Sequence, residues 1–249
     1  MGFIPTLIAD YMSSNPAKSN DEKASPASWV FPTHQRRSRL NRDRLLKAGE
    51  SVFAMHGFAD SHVSDIARKA GCSIGSFYRR FKDKEALFLA LQGEFHDRAR
   101  VYIDKLFSHP TSDKAPLTEV CFRLFESVAS RTLKNKGYYR ALFEISLRGN
   151  DVWGRMRELE RYQAECLKQL FSRRGHGALR RDFVPAVSAT LRMISGNQLS
   201  MMLHGAGPFE HNDYASNCEF TRILMAVAGI PVDEKVLKRI KAARDRGQK

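Results

Sequence analysis

The sequence lacks any apolar run approaching the ~18 residues that a membrane span requires, so no membrane partner is expected. It is poor in cysteine: Cys72, Cys121, Cys166 and Cys218 show neither CxxC nor Cys/His ligand spacing. That excludes a disulfide scaffold and a zinc ribbon, and reads as free thiols in a reducing cytoplasm. His204, His211 and Cys218 recur every seven residues, but Gly205, Gly207 and Pro208 interrupt any helix that would align them, so metal binding is not expected. There is no nucleophile–base signature, no carboxylate pair and no phosphate-cradling glycine loop. An enzyme is therefore not expected, nor a cofactor. Acidic residues are also short: 27 Asp and Glu stand against 41 Lys and Arg, a net charge of +14. Hydrophobic residues at 43% exclude global disorder.

The surplus charge is not spread evenly. Residues 34–92 hold a net +6 and residues 231–249 a net +4, the two densest regions, which suits a polyanionic partner. The chain divides accordingly: an extension over 1–35, a basic reader over 36–84, a helical body over 85–230 and a basic tail over 231–249. Residues 1–12 place Phe3, Ile4, Leu7, Ile8, Tyr11 and Met12 on one helical stripe, followed by a polar linker over 13–28. From Leu117 onward every periodic segment is helical and no convincing strand occurs, so the fold class is all-α.

Residues 63–81 organise the rest. Val63, Ile66, Ala67 and Ala70 form the buried face of a short helix, Gly71 ends it, and Ser73 can cap a second helix over 74–81. That is a helix-turn-helix, whose second helix enters the DNA major groove. Phe77 and Phe81 anchor this reader, and Ile74, Gly75, Ser76, Tyr78, Arg79 and Arg80 face outward with Ser73 at its start. Arginine can pair bidentately with guanine and isoleucine can pack on a thymine methyl. Tyr78 and Lys84 suit phosphates. Upstream, Arg39 and Arg42 belong to a basic arm that can reach an adjacent minor groove.

The whole stretch resembles the DNA-binding domain of tetracycline-repressor-like (TetR family) regulators. The match runs through Leu45, Leu46, Ala48, Val52, Phe53, Gly57 and Phe58, then Val63, Asp65, Ile66, Ala67, Ala70 and Gly71, then Ser73, Gly75, Ser76, Phe77, Tyr78, Phe81, Lys84, Glu85 and Leu87. Gly49 departs where the family usually has alanine, Cys72 where valine is usual, and Arg80 where histidine is common. Gly49 alone is expected to cost the first helix about 1 kcal/mol of propensity.

In the body, the segments 185–203 and 215–229 carry apolar seams with small residues between them, and two-fold dimers read palindromes. Leu191, Ile194, Gln198, Phe220, Ile223, Leu224 and Val227 are the expected dimer interface, and the resemblance implies the same two helices. The middle helices are rich in adaptable side chains. Phe122, Phe125, Phe143, Trp153, Met156 and Met193, with Asn197 among the polar groups, are the expected effector contacts. The resemblance implies a cytoplasmic homodimeric repressor that leaves a palindromic operator when a small apolar or amphipathic ligand binds. The charge alone would equally suit a sequence-indifferent, nucleoid-type DNA binder.

Overall fold

A computed structural model describes residues 32–149, 151–176, 179–204 and 213–247, with side chains from Ser38 onward. The expected stripe and linker within 1–28, and the glycine–proline break at 205–208, lie outside the described residues. Two units are distinguished. The first, Met1–Asp43, is described only over 32–43, the opening of a helix; the second, Arg44–Lys249, holds everything else.

The described residues form eleven helices and no strand. The reader comprises the end of α1 (Pro32–His56), α2 (Val63–Lys69) and α3 (Ile74–Tyr78). The body follows as α4 (Lys84–Ser108), α5 (Pro110–Lys114), α6 (Leu117–Lys134), α7 (Lys136–Ser146), α8 (Gly154–Arg173), α9 (Phe183–His204), α10 (Tyr214–Ala228) and α11 (Glu234–Gly247). Some helices begin at short acidic side chains that cap them. Asp83 Oδ1 accepts from Ala86 N at 2.7 Å at the start of α4, and Asp213 Oδ1 accepts from Ser216 N at 2.5 Å at the start of α10. In the body, α8 packs between α4 and α9, while α6 contacts α7, α9, α10 and α11.

One hydrophobic cluster runs from the reader into the body. Within it the rings of Phe53, Phe58, Phe88, Tyr138, Phe95 and Tyr139 follow one another at centroid separations between 4.6 and 6.1 Å. Such tilted and offset pairs each add a few tenths to about 1.5 kcal/mol beyond burial.

Two segments differ from what periodicity predicts. The stretch between Pro110 and Pro116, where two prolines with serine and aspartate between them mark a loop, contains the short helix α5, with Pro110 in its first turn. The region expected to be a basic tail is the folded helix α11. Its Val236, Leu237 and Ile240 are buried against Phe122 and Cys218. Arg239 and Arg244 pair with Glu119 and Glu126 of α6 at 3.1 and 3.6 Å. The charge is the outer face of a docked amphipathic helix.

Candidate nucleic-acid interface and the cavity behind it

The reader is held by its apolar side and capped by its polar one. Gly71 adopts φ +66°, the left-handed turn that only glycine enters without strain. Ser73 then caps α3, its Oγ accepting from Ser76 N at 3.2 Å. Phe77 is fully buried, and Ile74 and Tyr78 stand about half exposed at 47% and 56%. The helix is shorter than expected, ending at Tyr78, so Arg79 and Arg80 lie at and just past its C-terminal end. Arg79 turns back along the outer face, where its Nη2 donates to Ser76 Oγ at 2.6 Å. Ser73, Gly75, Ser76, Arg79 and the exposed ring of Tyr78 thus share one outward surface. A Cβ added at Gly75 would meet nothing closer than Ser73 Oγ at 3.9 Å, so no packing within the chain requires glycine there. In the first unit, Arg39 is exposed and Arg42 lies half-buried with its Nη1 3.9 Å from Asp43 Oδ1.

Lys84 has a different task from the one its position suggests. Its Nζ donates to the carbonyls of Phe58, Ala59 and Ser61 at 2.7, 2.8 and 3.0 Å and sits 4.8 Å from the Phe58 ring centroid. An ammonium has three donors, and all three are spent on the turn after α1. Desolvation lowers its pKa, with the nearby Arg148 adding to the shift. Lys84 therefore ties the start of α4 to the α1–α2 turn, and a phosphate would have to displace those carbonyls. Lys84→Met keeps the stem and removes the donors. It is expected to destabilise the chain by about 1–3 kcal/mol and to leave the salt slope of DNA binding unchanged. Thermal melting and binding curves at several salt concentrations check this. A slope reduced by about 1 at an unchanged melting temperature would restore the phosphate role.

The same turn is gripped from the body. Glu144 of α7 accepts from Phe58 N and Ala59 N at 2.6 and 2.9 Å. Arg140, one turn earlier, donates from Nη1 to the carbonyls of Ala54 and Met55 at 3.2 and 3.4 Å, where α1 leaves its last carbonyls without helical partners. Gly137 N donates to Glu50 Oε1 at 3.1 Å. Three residues on one face of α7 thus hold the end of α1, and no spacing in the sequence announces it.

Behind α7 lie two adjoining cavities that share Tyr139, Met156, Glu160 and Ser195 as walls. The inner one, about 40 Å³, reaches Phe95, Phe125 and Gln198; the outer, about 220 Å³, reaches Trp153, Arg192 and Leu199. Of the expected effector contacts, Phe125, Trp153 and Met156 line them. Phe122 does not, being packed against α11, and Phe143 and Met193 are exposed at 38% and 75%, while Asn197 is exposed on α9. Leu191, Ile194 and Gln198, expected at a dimer interface, face the inner cavity instead. Phe220 and Leu224 are buried inside the chain, which leaves Ile223, 47% exposed, and the half-buried Val227 from the expected interface. Burial pushes the Tyr139 hydroxyl up to about 12, so it serves the cavity as a neutral donor and acceptor.

Residues 45–91 match the family model described as bacterial regulatory proteins, tetR family. The HTH-type transcriptional regulator YdgC of Bacillus subtilis is 46% identical over 66 residues, 26% of this chain and 34% of that protein. The HTH-type transcriptional repressor KstR2 of Mycolicibacterium smegmatis is 32% identical over 90 residues, 36% of this chain and 44% of that protein. The match thus spans less than half the length of either relative. A TetR transcription regulator from Haloarcula marismortui shares the fold at TM-score 0.57 and 16% identity, covering 76% of this chain and 96% of that one. Among the described residues no helix is long and apolar enough to cross a membrane.

Proposed function

We propose, for a chain that belongs through its reader to the TetR family of bacterial regulatory proteins, that it is a dimeric, sequence-specific repressor released from DNA by a small ligand in the cavity. One observation carries the reading. The helix that contributes Tyr139 to the cavity wall also supplies the Gly137, Arg140 and Glu144 bonds to the end of α1. A ligand that prefers one placement of α7 would bias the placement of the reader by that difference in affinity. KstR2, a repressor, supports the sign of regulation. The palindromic operator follows from a reader of half-site size working in pairs. The exposed faces of α9 and α10, with Met193 and Ile223, are the surfaces on which a second copy would sit. A cytoplasmic location fits the free thiols.

Ser73, Ile74, Gly75, Ser76, Tyr78, Arg79 and Arg80 form the proposed contact with the groove, with Arg39 and Arg42 as an accessory basic arm. Selecting bound duplexes from a random DNA pool tests this. A footprint confined to one palindrome supports it, whereas uniform coverage with a steep salt slope supports the nucleoid-type alternative that the +14 charge favours. Arg79, steered by Ser76, is the proposed reader of a guanine edge. Arg79→Ala is expected to lower operator affinity by about 1–3 kcal/mol and to relax base preference at one symmetric pair of positions. Binding curves on cognate and scrambled duplexes check it, and equal losses on both would reduce Arg79 to a backbone contact.

A further inference from the structure

Gln198 is 2% exposed, lines the inner compartment, and finds no partner for either its Oε1 or its Nε2 among the described residues. A buried amide left unpaired carries its full desolvation penalty, so such a group calls for an explanation. Resting on the reading of this cavity as the effector site, we infer that the effector is an uncharged molecule whose carboxamide edge pairs with Gln198 in the inner compartment while a ring-sized apolar body fills the outer one.

The chemistry of the walls selects that class. A glutamine presents an acceptor and a donor side by side, and the complement that satisfies both at once is another amide edge. The charged groups around it make contacts of their own. Arg192 Nε donates to Glu160 Oε2 at 2.8 Å, Arg157 Nη2 reaches Asp151 Oδ2 at 2.5 Å, and the Arg131 guanidinium lies 3.8 Å over the Tyr102 ring. Burial raises the Glu160 pKa, against the pull of Arg192, so the cavity disfavours further negative charge beside it. A carboxylate ligand would face Glu160 and leave Gln198 Oε1 without a donor. A cation would find Arg192 and Arg157 on the same walls. Size agrees: the inner compartment, about 40 Å³, exceeds the ~10–15 Å³ that a single water needs. The outer one, about 220 Å³ beside Trp153, Met156 and Leu199, exceeds the ~150 Å³ cavity known to take benzene.

The test uses three probes of one shape, 2-naphthamide, 2-naphthoate and 2-methylnaphthalene, titrated calorimetrically into the full chain and into Gln198→Leu. The amide is expected to bind at least roughly tenfold tighter than the other two. In Gln198→Leu its advantage over 2-methylnaphthalene should vanish, and the ligand-free variant should melt about 2–6 °C higher because an unpaired amide has been removed. Naphthoate binding as well as the amide, no binding by any probe, or an amide preference surviving in the leucine variant would each overturn the inference. Release of a selected DNA duplex is measured separately. Amide binding that depends on Gln198 but leaves the duplex bound would sustain the inference and count against the effector reading.

Discussion

Gly137→Ala is expected to lower the melting temperature by roughly 6–12 °C, corresponding to about 3 kcal/mol in a chain of this size. On helix propensity alone the sign would be reversed, because alanine favours a helix by about 1 kcal/mol over glycine. The crossing of α7 over α1 decides otherwise. A Cβ at Gly137 would lie 2.0 Å from the Glu50 carbonyl oxygen and 2.9 Å from Ala54 N, both backbone atoms that no rotamer change can move. The helices must separate, and the bonds from Gly137, Arg140 and Glu144 to the end of α1 go with them. Gly75→Ala is the control: its Cβ would meet only Ser73 Oγ, at an unstrained 3.9 Å, and propensity should raise the melting temperature. Thermal denaturation of both variants gives the answer, and a Gly137→Ala protein as stable as the parent would mean that α7 does not ride on α1 as described.

What was legible in the sequence is what short spacing controls. Gly71 and Ser73 bracket a turn whose geometry depends on residues within four positions, so the reader and its cap could be placed from the chain alone. Lys84 could not, since the carbonyls that absorb its ammonium lie 23 to 26 residues earlier. Gly49, a departure from the family pattern, looks like a weak point in α1. In the fold its missing side chain makes room for Leu87, whose Cδ2 would sit 2.3 Å from an added Cβ. Periodicity also reports that a face is buried without saying what buries it. Leu191, Ile194 and Gln198 do form a seam, but the cavity and core lie under it rather than a second copy. In α11, Val236, Leu237 and Ile240 are spaced for a helix face, but lysines and arginines surround them and give the segment the composition of a basic tail.

The charged double variant Met193→Glu with Ile223→Glu is expected to convert the protein into monomers and to lower operator affinity by about 10²–10⁴-fold, the gain normally obtained by linking two half-site contacts. The choice of residues follows from burial. Leu224, next to Ile223, is fully buried within its own chain, and a charge there would unfold the body and say nothing about association. Met193 and Ile223 are exposed at 75% and 47% on α9 and α10, helices that pack against each other, so substitution leaves the core intact. Along α9 the exposed residues Ala189, Met193, Gly196 and Ser200 keep helical spacing, and a Cβ at Gly196 would meet nothing within 4 Å. Such a stripe of small residues around one long apolar side chain lets a second helix approach closely. Glutamates introduced there would meet their own symmetry mates in a two-fold contact, desolvated and unpaired. Sedimentation velocity with and without the operator duplex decides the matter, provided melting shows both proteins folded. A double variant that still sediments as a dimer would place the interface on another face. A monomer that kept full operator affinity would mean that paired half-sites do not supply it.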